Sequence, residues 1–206
     1  MPAFKFKYQT FLSRMREGKG LYICLMQIVG LLGLIILFLW LSLRPKSPSY
    51  SILLISLEQP SNSNENGTIV YNLEIQNSNK DSSIYYDDTI LRFLYGQDGD
   101  EDEVGETTMG SFHQGTSSTR EQSGAVNARH RTFKPLIKAI SNATAELKVA
   151  LMTRYRYKTW GIKSKFHGLH LIGILPIDSD GKLSRKKKKY PLSHYSKKLG
   201  RSKIRH

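Results

Sequence analysis

Residues 69–96 read IVYNLEIQNSNKDSSIYYDDTILRFLYG, and the fold turns on their spacing. Ile69, Tyr71, Leu73 and Ile75 are apolar, while Asn72, Glu74 and Gln76 between them are polar. A period of two sends successive side chains to opposite faces of an extended chain, so the run predicts a strand with one buried and one wet face. After the Asn-rich break at residues 77–81, a second apolar run over residues 85–95 predicts another strand. Asp87 and Asp88 fall inside it as neighbours.

The same period recurs downstream. Leu147, Val149, Leu151, Tyr155 and Tyr157 alternate with Glu146, Lys148, Arg154, Arg156 and Lys158, again one buried and one wet face. Residues 50–58, 107–113, 123–133 and 166–175 complete the strand candidates, and NSNENG, GQDGDEDEVG and DSDG between them have loop compositions. About seven short strands at this spacing predict a mainly β fold, an immunoglobulin/fibronectin-III-like antiparallel β-sandwich. One short helix is expected near residues 135–141.

Residues 21–43, LYICLMQIVGLLGLIILFLWLSL, form a different kind of segment. Its 23 residues carry no charge and would span roughly 35 Å as a helix, enough to cross a bilayer with some tilt. Tyr22 and Trp40 fall near its two ends, where amphipathic rings favour the headgroup level. A cleaved signal peptide would have a shorter apolar region followed by small residues; here the run ends in LRPKSP, so a retained single-pass anchor is expected. Lys5, Lys7, Arg14, Arg16 and Lys19 precede it and only Arg44 and Lys46 follow closely. That bias places the N-terminus in the cytoplasm and the larger part outside.

Two glycosylation sequons, at Asn66 and Asn142, lie on the expected outer side. The sole cysteine, Cys24, sits in the apolar segment, so no intrachain disulfide or cysteine zinc site is available to the outer part. Cys24 is either an ordinary helix residue or an acylation target at the membrane edge.

The formal charge of +14 points towards nucleic acid until it is divided by region. Residues 1–20 hold 5 Lys/Arg and 1 Asp/Glu, residues 44–181 hold 15 and 16, and residues 182–206 hold 11 and 0. A nearly neutral middle excludes a folded basic groove, and no nucleic-acid partner is expected. The last stretch, KLSRKKKKYPLSHYSKKLGRSKIRH, is expected to be a disordered basic tail. Within it Arg185, Lys186, Lys187, Lys188 and Lys189 are candidates for binding anionic surfaces, against a simply solvated run as the plain alternative. No apolar stretch follows in this sequence, so a glycolipid-anchor signal is not expected.

The remaining motifs argue against chemistry. Asp87 and Asp88, as neighbours in a strand, would point to opposite faces and fail as an acid/base pair. An EF-hand loop starting at Asp98 needs glycine sixth and a bidentate acid twelfth, where Glu103 and Met109 stand. His167 and His170 are three apart in a predicted strand, again on opposite faces. No G-x-S-x-G, H-E-x-x-H, Walker A or G-x-G-x-x-G pattern accompanies His113 or His130. The expectation is a non-enzymatic protein without cofactor or metal.

Three stretches, in order after the single anchor, carry a resemblance: LWLSLRPKSPSYSI at residues 39–52, the opening stretch at 69–96, and TMGSFHQGTSSTR at 108–120. Together they resemble the plant non-race-specific disease resistance and harpin-induced-like family, whose outer part is a late embryogenesis abundant type-2 domain. Two departures stand out: Asn77-Ser78-Asn79 replaces the family's Asn-Pro-Asn turn, and a basic end replaces the glycolipid anchor of some members. The resemblance implies defence and stress responses at the plasma membrane, often including plasmodesmata, with defence-signalling proteins, anionic wall polymers or lipids as partners. Its alternative is a protective role in desiccation at the membrane–wall interface. The expected layout is a basic cytoplasmic N-terminus at 1–20, a transmembrane helix at 21–43 contacting lipid, a spacer at 44–49, the sandwich at 50–177 and the tail at 178–206.

Overall fold

The computed structural model describes residues 3–42, 44–59, 66–97, 100–141 and 145–194. The chain divides into two units, Met1–Arg44 and Pro45–His206. The first is one helix, α1 (Ala3–Ser42), whose stretch Tyr22–Leu41 is long and apolar enough to cross a membrane, with exposed apolar side chains throughout.

The second unit is β-rich. Its strands are β1 (Ser49–Glu58), β2 (Thr68–Asn77), β3 (Ser82–Tyr86), β4 (Thr89–Gln97), β5 (Asp100–Met109), β6 (Phe112–Gln114) and β7 (Ser118–Asn127). Helix α2 (His130–Ser141) follows, then β8 (Glu146–Thr159), β9 (Ile162–Lys163), β10 (His167–Pro176), β11 (Tyr190–Pro191) and β12 (Ser193–His194). One antiparallel sheet has the order β11-β1-β2-β7; the other runs β12-β10-β8-β3-β6, with β4 on β8, β5 on β4 and β9 on β8. The sheets pack face to face like a sandwich. Their inward side chains share one core that includes Tyr50, Ile52, Leu73 and Ile75 from one sheet and Ile84, Leu91, Phe93 and Leu151 from the other.

The opening stretch forms its two predicted strands, with one interruption. Tyr86 pairs with Tyr155 and Ile90 with Met152, so three residues on the β3–β4 edge face two on β8. That extra residue is a bulge. It divides the predicted strand 85–95 into β3 and β4, and the facing edge is divided between β5 and β6 at Gly110-Ser111.

Three further expectations are corrected. The acidic segment read as a loop is strand from Asp100 onwards, because carboxylates along β5 meet cations: Glu101 pairs with Lys148, Glu103 with Arg129 at 2.8 Å and Glu106 with Arg92. The strand expected at 123–133 ends at Asn127, and the short helix begins at His130 rather than near Pro135. Phe133, Leu136 and Ile140 form the helix's buried stripe, the spacing of one helical face. Finally, residues 178–194 are part of the fold, and the described residues include twelve strands rather than about seven.

Polar side chains lock one end of the sandwich. Asn77, 1% exposed, donates through Nδ2 to the carbonyls of Ser82 at 2.9 Å and Gly115 at 2.8 Å, and accepts the Asn79 N–H at 3.0 Å. Gln114 donates to the carbonyls of Ile75 at 2.9 Å and Ser118 at 2.8 Å and accepts the Tyr86 hydroxyl at 2.8 Å. Buried carbonyls need such partners, and Gln114 supplies them across both sheets.

Candidate anion-binding loop

The basic run is a loop held at both ends, which overturns its reading as the start of a disordered tail. On one side the Leu183 N–H donates to the Ile55 carbonyl at 3.0 Å and the Ser184 N–H to the Pro176 carbonyl at 3.0 Å. On the other, the Leu192 N–H donates to the Tyr50 carbonyl at 2.9 Å, and the Tyr190 hydroxyl closes the loop by donating to the Ser184 carbonyl at 2.9 Å. Leu183, Tyr190 and Leu192 are buried. Gly173 leaves room for the last of these: a Cβ there would stand 2.5 Å from Leu192 Cδ2. The segment therefore covers the free edge of β1, an edge that would otherwise expose unpaired backbone groups.

Between Ser184 and Tyr190, Arg185, Lys186, Lys187, Lys188 and Lys189 are all exposed. Lys189 reaches Glu74 at 2.8 Å, a surface pair contributing about 0–1 kcal/mol. Lys187 Nζ lies 5.9 Å from the Tyr190 ring. Among the described residues, none of the other four has a carboxylate within ion-pair distance. Five consecutive cations on an anchored turn create a local positive potential suited to a polyanion. Anchoring also lowers the ordering cost that a free tail would meet on binding.

The other predicted sites fall in different places. Asn66 is exposed just before β2, and its Oδ1 accepts the His130 N–H at 3.2 Å, capping α2 from a distant segment. The amide nitrogen, which would carry a glycan, is not used in that bond. Asn142 lies outside the described residues, as do Asp98 and residues 195–206. Cys24 is exposed on α1. The His167 ring lies tilted against those of Tyr155 at 5.7 Å and Tyr157 at 5.6 Å, while His170 is one of the alternating exposed positions of β10. No group of three or more metal-ligating side chains forms among the described residues.

Asp87 and Asp88 correct the reasoning about opposite faces. The bulge keeps Tyr86 and Thr89 buried and turns both aspartates outwards. They then part: Asp87 Oδ2 accepts Arg154 Nη2 at 2.6 Å and Nε at 3.1 Å, whereas Asp88 Oδ1 accepts the Ser111 N–H at 2.9 Å. The Arg154 bond, helped by the Asp88 N–H, holds the Asp87 carboxyl below its usual range.

One surface escaped the sequence reading. Arg156 stacks 4.8 Å from the Phe166 ring and 5.9 Å from Tyr85, beside an open cleft of about 270 Å³ that Asp87, Ser111 and Phe112 also line. Its Nε is buried without a hydrogen-bond partner among the described residues. The signal was the alternation of Arg154, Arg156 and Lys158, read only as a wet strand face.

The chain is 30% identical over 179 residues to Protein NDR1 of Arabidopsis thaliana, a match covering 82% of this chain and 81% of that protein. Two solved structures also align. A protein from Archaeoglobus fulgidus matches at 8% identity over 63% of this chain and 95% of its own, with a TM-score of 0.30. An Arabidopsis thaliana protein solved in solution matches at 10% identity over 66% and 85%, with a TM-score of 0.36. No family model matches the sequence.

Proposed function

Because the chain belongs to the non-race-specific disease resistance and harpin-induced-like family, that of Arabidopsis Protein NDR1, we propose that it is a plasma-membrane-anchored, non-enzymatic protein of plant defence. In this reading residues 21–43 span the bilayer with the N-terminus in the cytoplasm. The sandwich faces outwards, at the cell surface and at plasmodesmata, and works by binding. Its partners are anionic wall polymers or lipids, met by residues 185–189, and defence-signalling proteins met by the domain.

The observation that carries the binding reading is the pinned loop between Ser184 and Tyr190, which holds five exposed cations on a folded support. Binding through it is electrostatic and weakens as salt rises, with a Debye length of about 10 Å at 0.1 M. The test uses the full chain in neutral-lipid nanodiscs, mixed at low salt with polygalacturonate or with phosphatidylserine vesicles. Replacing Lys186, Lys187, Lys188 and Lys189 by Gln is expected to weaken association and leave the thermal midpoint in place. Undiminished association of that variant would contradict the role of the loop.

A further inference from the structure

The hairpin between β8 and β9 exposes the wrong residues for a free surface. Thr159 pairs with Ile162 across a two-residue turn of Trp160 and Gly161, whose φ values are 49° and 85°. Such a turn requires left-handed backbone at both centres, and Asn-Gly or Gly-Gly normally supplies it. Tryptophan there is strained, because its Cβ crowds the backbone. Trp160 is also 74% exposed, and Ile162 beside it is 76% exposed, the largest values for big apolar residues among those described. Lys158, Lys163 and Lys165 flank this tip in the sequence; Lys163 Nζ lies 5.3 Å from the Tyr85 ring, and none of the three has a carboxylate partner among the described residues.

Hydrogen bonds place the tip at a particular end of the domain. Ser82 Oγ lies 2.6 Å from Thr159 Oγ1, at the foot of the hairpin. The Ser82 carbonyl accepts Asn77 Nδ2, Asn77 Oδ1 accepts the N–H of Asn79, and Asn79 holds the backbone of Lys46. Lys46 is three residues beyond Leu43, where the apolar segment ends. Three residues reach at most about 10 Å. The exposed tryptophan is therefore at the end of the sandwich where the chain arrives from its anchor.

We propose that Trp160 and Ile162 enter the headgroup layer of the bilayer crossed by residues 21–43, with Lys158, Lys163 and Lys165 on lipid phosphates. The inference rests on the membrane-spanning reading of that segment. Indole rings favour the interface, and lysine stems lie along apolar surface while their charges meet headgroups. An aqueous protein partner would account for the apolar tip but not for its place beside the chain's point of arrival. The hairpin thus gives the domain a second attachment to the membrane.

The two tryptophans of the chain make a direct test. In the full chain in phosphatidylcholine–phosphatidylserine nanodiscs, Trp40→Phe leaves Trp160 as the only indole, and Trp160→Asn leaves Trp40. The expected result is quenching of both indoles by a headgroup-level nitroxide lipid, with Trp160 shielded from aqueous acrylamide as Trp40 is. Free acrylamide access to Trp160 with Trp40 still quenched by lipid overturns the hairpin contact alone. Loss of lipid quenching at both positions overturns it together with the membrane-spanning reading.

Discussion

Asn79 and Lys46 exchange two hydrogen bonds: Asn79 Nδ2 donates to the Lys46 carbonyl at 2.8 Å, and the Lys46 N–H donates to Asn79 Oδ1 at 2.6 Å. The side chain mimics a strand edge and fastens the spacer to the sandwich two residues after Arg44. Asn79→Ala removes both bonds and leaves half-buried backbone groups without partners, a loss of about 1–3 kcal/mol. Urea unfolding is expected to show a lower midpoint with an unchanged slope. Trypsin is expected to cut after Lys46 faster in the folded variant than in the parent.

Gln114 carries a heavier load, because it is 4% exposed and joins the two sheets through Ile75, Ser118 and Tyr86. Gln114→Ala strands two carbonyls and a buried hydroxyl, so a loss of about 2–4 kcal/mol is expected. Gln114→Glu is the sharper probe. A carboxylate keeps the size but cannot donate to the carbonyls, and the thermal midpoint should fall, with partial recovery as the pH drops and the acid protonates.

Asp87 makes a prediction about acid stability. Its folded carboxyl is held below the ordinary range, mainly by Arg154. A depressed folded pKa contributes stability above the unfolded value, near 3.9, and that contribution is lost as pH falls through the folded value. Removing the partner with Arg154→Gln should therefore lessen the fall in thermal midpoint below about pH 4. A titration of the Asp87 carboxyl by NMR should show its midpoint move up towards that of a free aspartate. An unmoved midpoint would mean that the ion pair is not formed in solution.

Trp160 predicts a gain. Its left-handed backbone is costly for a bulky residue by about 1–2 kcal/mol, and with the residue 74% exposed little packing among the described residues offsets the cost. In water or mild detergent, Trp160→Asn is expected to leave the thermal midpoint unchanged or raise it. A marked fall would show that the ring has a packing role within the domain.

These positions also show where sequence reading succeeds and where it stops. The strands around Leu73 and Val149 were legible because burial on one face imposes a period of two. The bulge at Asp87-Asp88 was not, since an extra residue is defined only against Thr153 and Arg154 on a partner 65 positions away. Local composition misled twice in the same manner. Acidic residues disfavour strands by themselves, yet Lys148, Arg129 and Arg92 make residues 100–109 a paired strand. Lysines around 185–189 hid Leu183, Tyr190 and Leu192, three apolar residues sufficient to fasten the segment to β1 and β10. The start of α2 depended on Asn66, a cap from 64 residues away.

The side of the membrane occupied by the sandwich decides whether its basic loop meets wall polymers at all. The direct measurement is protease protection on intact protoplasts expressing the full chain with a tag at each end, with glycosidase digestion in parallel. External protease is expected to remove the C-terminal tag and spare the N-terminal one, and a glycosidase-sensitive mobility shift is expected to diminish in Asn66→Gln. A C-terminal tag that stays protected on protein already delivered to the cell surface would contradict the outward orientation, placing residues 185–189 against the inner leaflet instead.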